Sequence, residues 1–193
     1  MTSKILLIGG GGHCHAVIDV IESRDEFEIV GIIDSAEKVG QTVSNYPVIG
    51  TDSDLCKLAQ HIPFACITVG QIKTPDIRMK LFAQAQSAGF QLPAIVSSRA
   101  YVSASAVIGS GTVVMHDALI NAHAVVGDNC IINTKALIEH DAQIGNHCHI
   151  STGSIVNGAA IIRDGSFFGS NAVSVQGAVV SERSFIKAGS LVL

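Results

Sequence analysis

The sequence predicts two architectures in series: a small α/β domain with a parallel sheet over residues 1–93, and a parallel β-helix over residues 94–193. Three observations carry that expectation. All four Pro, at 47, 63, 75 and 93, lie in the first part, and charged residues divide 17 to 11 although the second part is the longer. Such a composition shift marks a domain boundary near Pro93. Strand and helix signals alternate through the first part, and a six-residue repeat runs through the second.

The first part opens on Lys4-Ile5-Leu6-Leu7-Ile8, a buried-strand run that ends in Gly9 to Gly12. From His13 to Arg24, residues Ala16, Val17, Val20 and Ile21 fall on one helical face. Phe27 to Ile33 reads as a second strand ending at Asp34. Asp52-Ser53-Asp54 supplies a cap for a short helix carrying Leu55, Leu58 and Ala59. Phe64 to Val69 is a third strand stopped by Gly70, and Pro75 to Ala88 is a helix stopped by Gly89. Strands and helices in alternation, joined by short loops, imply a small parallel, Rossmann-like sheet.

Residues 102 to 191 divide into fifteen sixes beginning at Val102. Fourteen of the fifteen first positions are large and apolar, Ser174 being the exception, and all fifteen fifth positions are small. A period of six has no helical solution, because 3.6 residues per turn would smear the column around the axis. It suits a prism in which each short strand forms one face and three strands complete a coil. The large residue then fills the interior and the small one occupies a crowded inner corner. Gly or Asn at the second position (Gly109, Asn121, Gly127, Asn133, Gly145, Asn157, Gly169) is expected to allow the corners by tolerating unusual backbone angles. Fifteen sixes make five coils of a parallel β-helix.

Composition excludes several classes. The 193 residues are 48% apolar, 5% aromatic and 15% charged, with no Trp. Disordered chains are more polar and more charged, and no apolar run approaches the ~18 residues of a membrane span. The apolar run before Gly9 is too short for a signal peptide. Five Cys without a CxxC suit reduced thiols, and hence a cytoplasmic location. A formal net charge of −4 offers no footprint for nucleic acid. Gly9-x-Gly11 reaches Cys14 and Gly10-x-Gly12 reaches His15, so the dinucleotide pattern GxGxxG fails in each register.

The repeat resembles that of the left-handed β-helix acyltransferases. The likeness sharpens over Asn133-Thr134-Lys135-Ala136-Leu137-Ile138-Glu139-His140-Asp141-Ala142-Gln143-Ile144-Gly145, then His149-Ile150-Ser151 and Gly158. With the Gly-Gly-Gly-Gly-His opening, nearly the whole chain is similar to the bacterial acetyltransferases that modify nucleotide-linked amino sugars or sialic acids. The resemblance implies acetyl-CoA as donor and a homotrimer with active sites between subunits; no metal is expected. It makes His140 the general base, with Asp141 in the place of its acidic partner, where relatives often have the longer Glu. It places Asn133 and His149 near the acetyl group and thioester, and Gly158, Ser170 and Ala188 along the CoA channel. Nucleotide-sugar contacts fall at Gly11, Gly12, His13, Asp34, Ser35 and Gly70, which are strand ends, where open α/β sheets bind ligands. Similar proteins carry a Gly-x-Pro-Ala-type segment after the last coil, and this sequence runs to Leu193 without one.

The residues support the same chemistry independently. Acetyl transfer from a thioester needs a base for the attacking amine or hydroxyl and donors for the developing oxyanion. A neutral His beside a carboxylate is suited to the first task. His140 is third in its six and sits at a corner between two faces, whereas Asn133, Ser151 and His149 share the remaining face. Across one prism these groups stand on the order of 15 Å apart, which argues for a site completed by a neighbouring subunit. The acceptor is expected to be the amine of a UDP-linked amino-deoxy sugar, O-acetylation of a sialic-acid-like sugar being the alternative. A non-catalytic sugar-nucleotide-binding scaffold is the alternative from another class. His123, one coil from Asp141, competes for that carboxylate; His116 and His147 read as solvated corners, and Cys130 and Cys148 as buried packing. A zinc site like that of β-helical carbonic anhydrases is disfavoured, because their close His pair with four intervening residues is missing.

Overall fold

The computed structural model describes residues 2–193. The first part runs β1 (Ser3–Ile8), α1 (Gly12–Glu22), β2 (Phe27–Ile33), β3 (Thr42–Val43), β4 (Tyr46–Gly50), α2 (Leu55–Leu58), β5 (Phe64–Ile67) and α3 (Asp76–Ala88). The strand order is β3-β4-β2-β1-β5. Strands β4, β2, β1 and β5 are mutually parallel, and β3 pairs antiparallel to β4. The sheet is therefore mixed, not purely parallel, and holds two strands beyond the three read from the sequence. Pro47 and shortness masked the extra pair, since Pro argues against a strand. The two strands turn through Ser44 and Asn45, both at positive φ, the backbone that a two-residue hairpin requires.

Helix α1 buries Cys14, Val17, Ile18, Val20 and Ile21, while Ala16, expected on the apolar face, is exposed. The face rotates because α1 packs on two neighbours: its cluster joins Ile5 and Ile32 of the sheet to Ile95, Val113 and Met115 of the second part. Helix α3 stops where Gly89 takes a left-handed φ of 98°.

The second part is seventeen two-residue strands, from Ile95–Val96 to Leu191–Val192, each parallel to the strand one coil away. They form three sheets. The first face holds Ile131–Ile132, His149–Ile150 and Phe167–Phe168; the second holds Leu137–Ile138; the third holds Gln143–Ile144. The large and small columns both point inward and make one core from Val114 to Val180. Ser174, the exception in the large column, is buried but satisfied, its Oγ accepting from the Asn157 amide at 2.9 Å.

The corners work differently from the expectation. Positive φ falls at the fourth position of the six, at Asp117, His123, Asn129, Lys135, Asp141 and His147 among others, and not at the second. The second-position glycines serve close approach instead: a Cβ on Gly109 would lie 2.5 Å from the carbonyl carbon of Gly127 in the next coil.

The α/β domain lies against the first face. Arg78 of α3, wholly buried, donates to the carbonyls of Ile67 at 2.7 Å and Val69 at 2.9 Å and, across the domain boundary, to that of Asn129 at 3.1 Å. Burial pushes the guanidinium down to about 10, so it stays charged at neutral pH. His116 is not a solvated corner: it bridges Asp19 of α1 at 2.7 Å and Ser97 at 2.6 Å. His147 is likewise half-buried, its ring edge-on to Phe82 of α3. In both cases the neighbouring domain covers the corner. Among the described residues no helix is long and apolar enough to cross a membrane.

Candidate active site

Three groups of residues come together in different places. The first surrounds a cleft of about 560 Å³ at the carboxyl ends of β1, β2 and β5, walled by Gly11, His13, Asp34, Lys38, Gly70 and His149. Gly11 and Gly12 open the helix with no side-chain cap and no acidic residue in the first turn. The free N–H groups there favour an anion. Gly10 donates its N–H to Asp34 Oδ2 at 2.7 Å, and Lys38 Nζ reaches the same oxygen at 3.0 Å. Burial opposes ionisation of Asp34, but the Ser35 amide, Lys38 and the Gly10 amide outweigh it and hold the carboxyl below its usual range. Ser35 and Asp34 also line an adjoining cavity of about 520 Å³.

His149 is the β-helix's contribution to this cleft. Its Nδ1 faces the Gln71 carbonyl, which can only accept, so Nδ1 carries the proton. Its Nε2 accepts from the Asn133 amide at 3.0 Å, and Asn133 is oriented by accepting from Thr134 N–H at 2.7 Å. Burial, aided by the Arg78 charge, pushes His149 down to about 4 against the pull of the Gln71 carbonyl. His13 is pushed down to about 3, by burial first and then by Arg78 and His149. Both are therefore neutral in the folded protein near pH 7.

A pH dependence of stability follows. The unfolded chain takes up protons on these two imidazoles near pH 6.5 while the folded chain does not, so this contribution is full above that pH. It is lost on acidification from about 6.5 down to about 4 for His149 and to about 3 for His13. At about 1.4 kcal/mol per pKa unit, the loss is expected to reach several kcal/mol. Urea unfolding between about pH 7.5 and 5 measures it, and the slope should flatten in His149→Asn. A flat wild-type profile would contradict the assignment.

The second group lies at the corner between the second and third faces. His140 Nδ1 and Asp141 Oδ2 are 2.8 Å apart, so the shorter carboxylate reaches. The left-handed φ of 60° at Asp141 turns it back toward the ring. The expected competitor does not engage, since the carboxylate pairs with His140 and not with His123. Gly158 lies against the imidazole: a Cβ there would sit 2.8 Å from both Cε1 and Nε2. Glu139 accepts from Asn121 at 2.9 Å and from the His140 amide at 3.2 Å.

The third group runs along the corner between the first and second faces, where Ser170 Oγ meets Ser151 Oγ at 2.9 Å and Ala188 follows one coil on. One chain thus brings His149, with Asn133 bonded to it, to the cleft residues of the α/β domain, and holds His140, Asp141 and Gly158 at a separate corner. No motif or spacing marks Gln71, Lys38 or Arg78 in the sequence. Among the described residues no group of three or more His, Cys, Asp or Glu is arranged to hold a metal.

An α/β domain with a ligand-sized cleft, docked on a hexapeptide β-helix that carries a His–carboxylate pair, defines a left-handed β-helix acyltransferase. Residues 4–85 match the PglD N-terminal domain and residues 123–158 the bacterial transferase hexapeptide of six repeats. The chain is similar to PerB from Caulobacter crescentus in complex with CoA and GDP-perosamine, with 31% identity and TM-score 0.92 over 100% of this chain and 90% of that one. It is similar to the acetyltransferase domain of PglB from Neisseria gonorrhoeae, with 32% identity and TM-score 0.90 over 100% and 92%. The uncharacterized protein L142 of Acanthamoeba polyphaga mimivirus is 39% identical over 111 residues, and the chain spans 21% of that protein's length. The chain belongs to the hexapeptide-repeat sugar acetyltransferases that carry a PglD-type N-terminal domain.

Proposed function

We propose that the protein transfers acetyl from acetyl-CoA to the amino group of a nucleotide-linked amino-deoxy sugar, with UDP as the nucleotide, in the synthesis of bacterial surface glycans. The observation that carries this reading is the cleft itself: a glycine-rich helix N-terminus suited to a diphosphate faces His149, a neutral imidazole supplied by the other domain. A GDP-linked sugar is the second reading, favoured by the likeness to the PerB complex with GDP-perosamine. The PglB domain has been seen with acetyl coenzyme A, which supports the donor.

In this reading His140 donates Nδ1–H to Asp141 and keeps the Nε2 lone pair for the proton of the attacking amine. The amine nitrogen bonds to the acetyl carbon, the carbon–sulfur bond breaks, and the sulfur leaves as CoA thiolate. Asn133 has a second N–H available for the carbonyl oxygen as charge develops on it. His140 comes from a neighbouring subunit of a homotrimer. Two observations support that assembly: the α/β domain leaves two faces of the prism free, and these present Tyr101 and Leu191 on one and Val107, Val125 and Val179 on the other, all exposed. His140 stands at the corner where the two faces meet. The five free thiols suit a reducing cytoplasm.

The test is CoA release from acetyl-CoA against UDP- and GDP-linked amino sugars and sialic acids, measured on fractions separated by size. Turnover is expected in a trimeric fraction with a UDP-linked amine. Turnover with a GDP-linked amine alone selects the second reading, and turnover with sialic acids alone selects O-acetylation. No release with any acceptor favours a binding scaffold, and a stable, fully active monomer removes the intersubunit site.

A further inference from the structure

Gln71 is the residue at which both domains share one site. It follows Gly70 in the loop after β5, is 3% exposed, and borders the cleft with His149. Its side-chain Nε2 donates to the His147 carbonyl at 2.9 Å, which anchors the loop to the β-helix. Its own main-chain carbonyl accepts from Nδ1 of His149. With the proton held on Nδ1, the Nε2 lone pair faces Asn133, whose amide spends one N–H on it at 3.0 Å. The opposite tautomer would set Nε2–H against the Asn133 N–H, donor against donor, and drive the amide away. The order Asn133 to His149 to Gln71 is therefore one directional chain, and its last link lies in the loop that borders the sugar cleft.

We propose that Gln71 is a positioning residue for acetyl transfer: by anchoring its loop on His147 and accepting from His149 it sets the tautomer and orientation of that imidazole, and so ties the sugar cleft at Gly70 to the Asn133 donor. This rests on the acetyltransferase reading above. The loop carries both functions because Gly70 borders the cleft that would take the acceptor sugar and Gln71, the next residue, holds the imidazole.

Long-range proton–nitrogen NMR of the His149 imidazole, assigned with His149→Asn, reads the tautomer without reference to activity. The expected wild-type signature is Nδ1–H, with the His149 nitrogen resonances moving when a UDP- or GDP-linked amino sugar is added. Gln71→Leu, close in volume but with no donor, is expected to mix the tautomers. It should also lower kcat about 100-fold, the scale of a misplacement near 1 Å, while KM for acetyl-CoA stays within about two-fold. Gln71→Asn, which keeps an amide on a shorter arm, should recover part of kcat and of the Nδ1–H signature; it carries the same readouts if the Leu variant does not fold. Nε2–H at His149 in the wild type overturns the proposal, as does an unchanged tautomer or unchanged kcat in the variants. Absence of CoA release by the wild type with every acceptor defeats the acetyltransferase reading instead, and the tautomer measurement still decides where His149 holds its proton.

Discussion

His140→Ala is expected to lower kcat for acetyl transfer by about 10²–10⁴-fold, the usual contribution of a general base. The fold should survive it. The His140 side chain is 54% exposed and lies outside the prism, so its loss opens no cavity in the core. Among the described residues its side chain bonds only the Asp141 carboxylate, itself exposed and able to turn to water, and its main-chain contacts with Glu139 and Ala159 are retained by Ala. The thermal midpoint, the oligomeric state and CoA binding should all match the wild type while turnover is lost. That combination separates a base from a structural corner. Wild-type turnover in His140→Ala would remove His140 from the mechanism.

Arg78→Ala is expected to have the largest effect on stability. The guanidinium is wholly buried and its partners are main-chain carbonyls, those of Ile67 and Val69 in one domain and Asn129 in the other, with Gly111 at 3.4 Å. Its removal leaves buried acceptors without donors, at about 1–3 kcal/mol each, and leaves an unfilled volume beside them. Partial relaxation and water entry lower the sum, and a net loss of about 3–5 kcal/mol is expected. Urea unfolding followed by far-ultraviolet circular dichroism should give a lower midpoint and a separate, earlier transition for the α/β domain. Arg78→Lys keeps a charge but not the planar fork that serves several carbonyls together, and should recover only part of the loss. A change below about 1 kcal/mol in Arg78→Ala would show that this clamp contributes little.

The β-helix was readable from the residues because a repeat makes each position's surroundings the same from coil to coil. A large residue at the first position and a small one at the fifth meet their like above and below, so period and size together settle which side chains point inward. His140 and Asp141 were marked by the resemblance and not by the period, and the structure adds that the shorter carboxylate reaches the ring. The left-handed corners were misplaced by two positions because second-position glycines and fourth-position turns share one period. Only three-dimensional stacking separates a glycine needed for its φ from one needed for the nearness of Gly127. The β3–β4 hairpin escaped because its strands are short and one contains Pro47.

Composition and the repeat thus determine an α/β part followed by a β-helix, and the His–carboxylate pair on its surface came from the resemblance. Only the tertiary structure decided how the domains meet. Gln71 reaches His149 across 78 residues, Arg78 reaches Asn129 across 51, and Asp19 reaches His116 across 97. No period or motif links such positions, because each contact exists only once the α/β domain has settled on the first face of the prism. That docking buries His149 and sets it and Arg78 near His13, and both imidazoles are held neutral. It also turns a glycine-rich strand end and a repeat residue into two walls of one cleft.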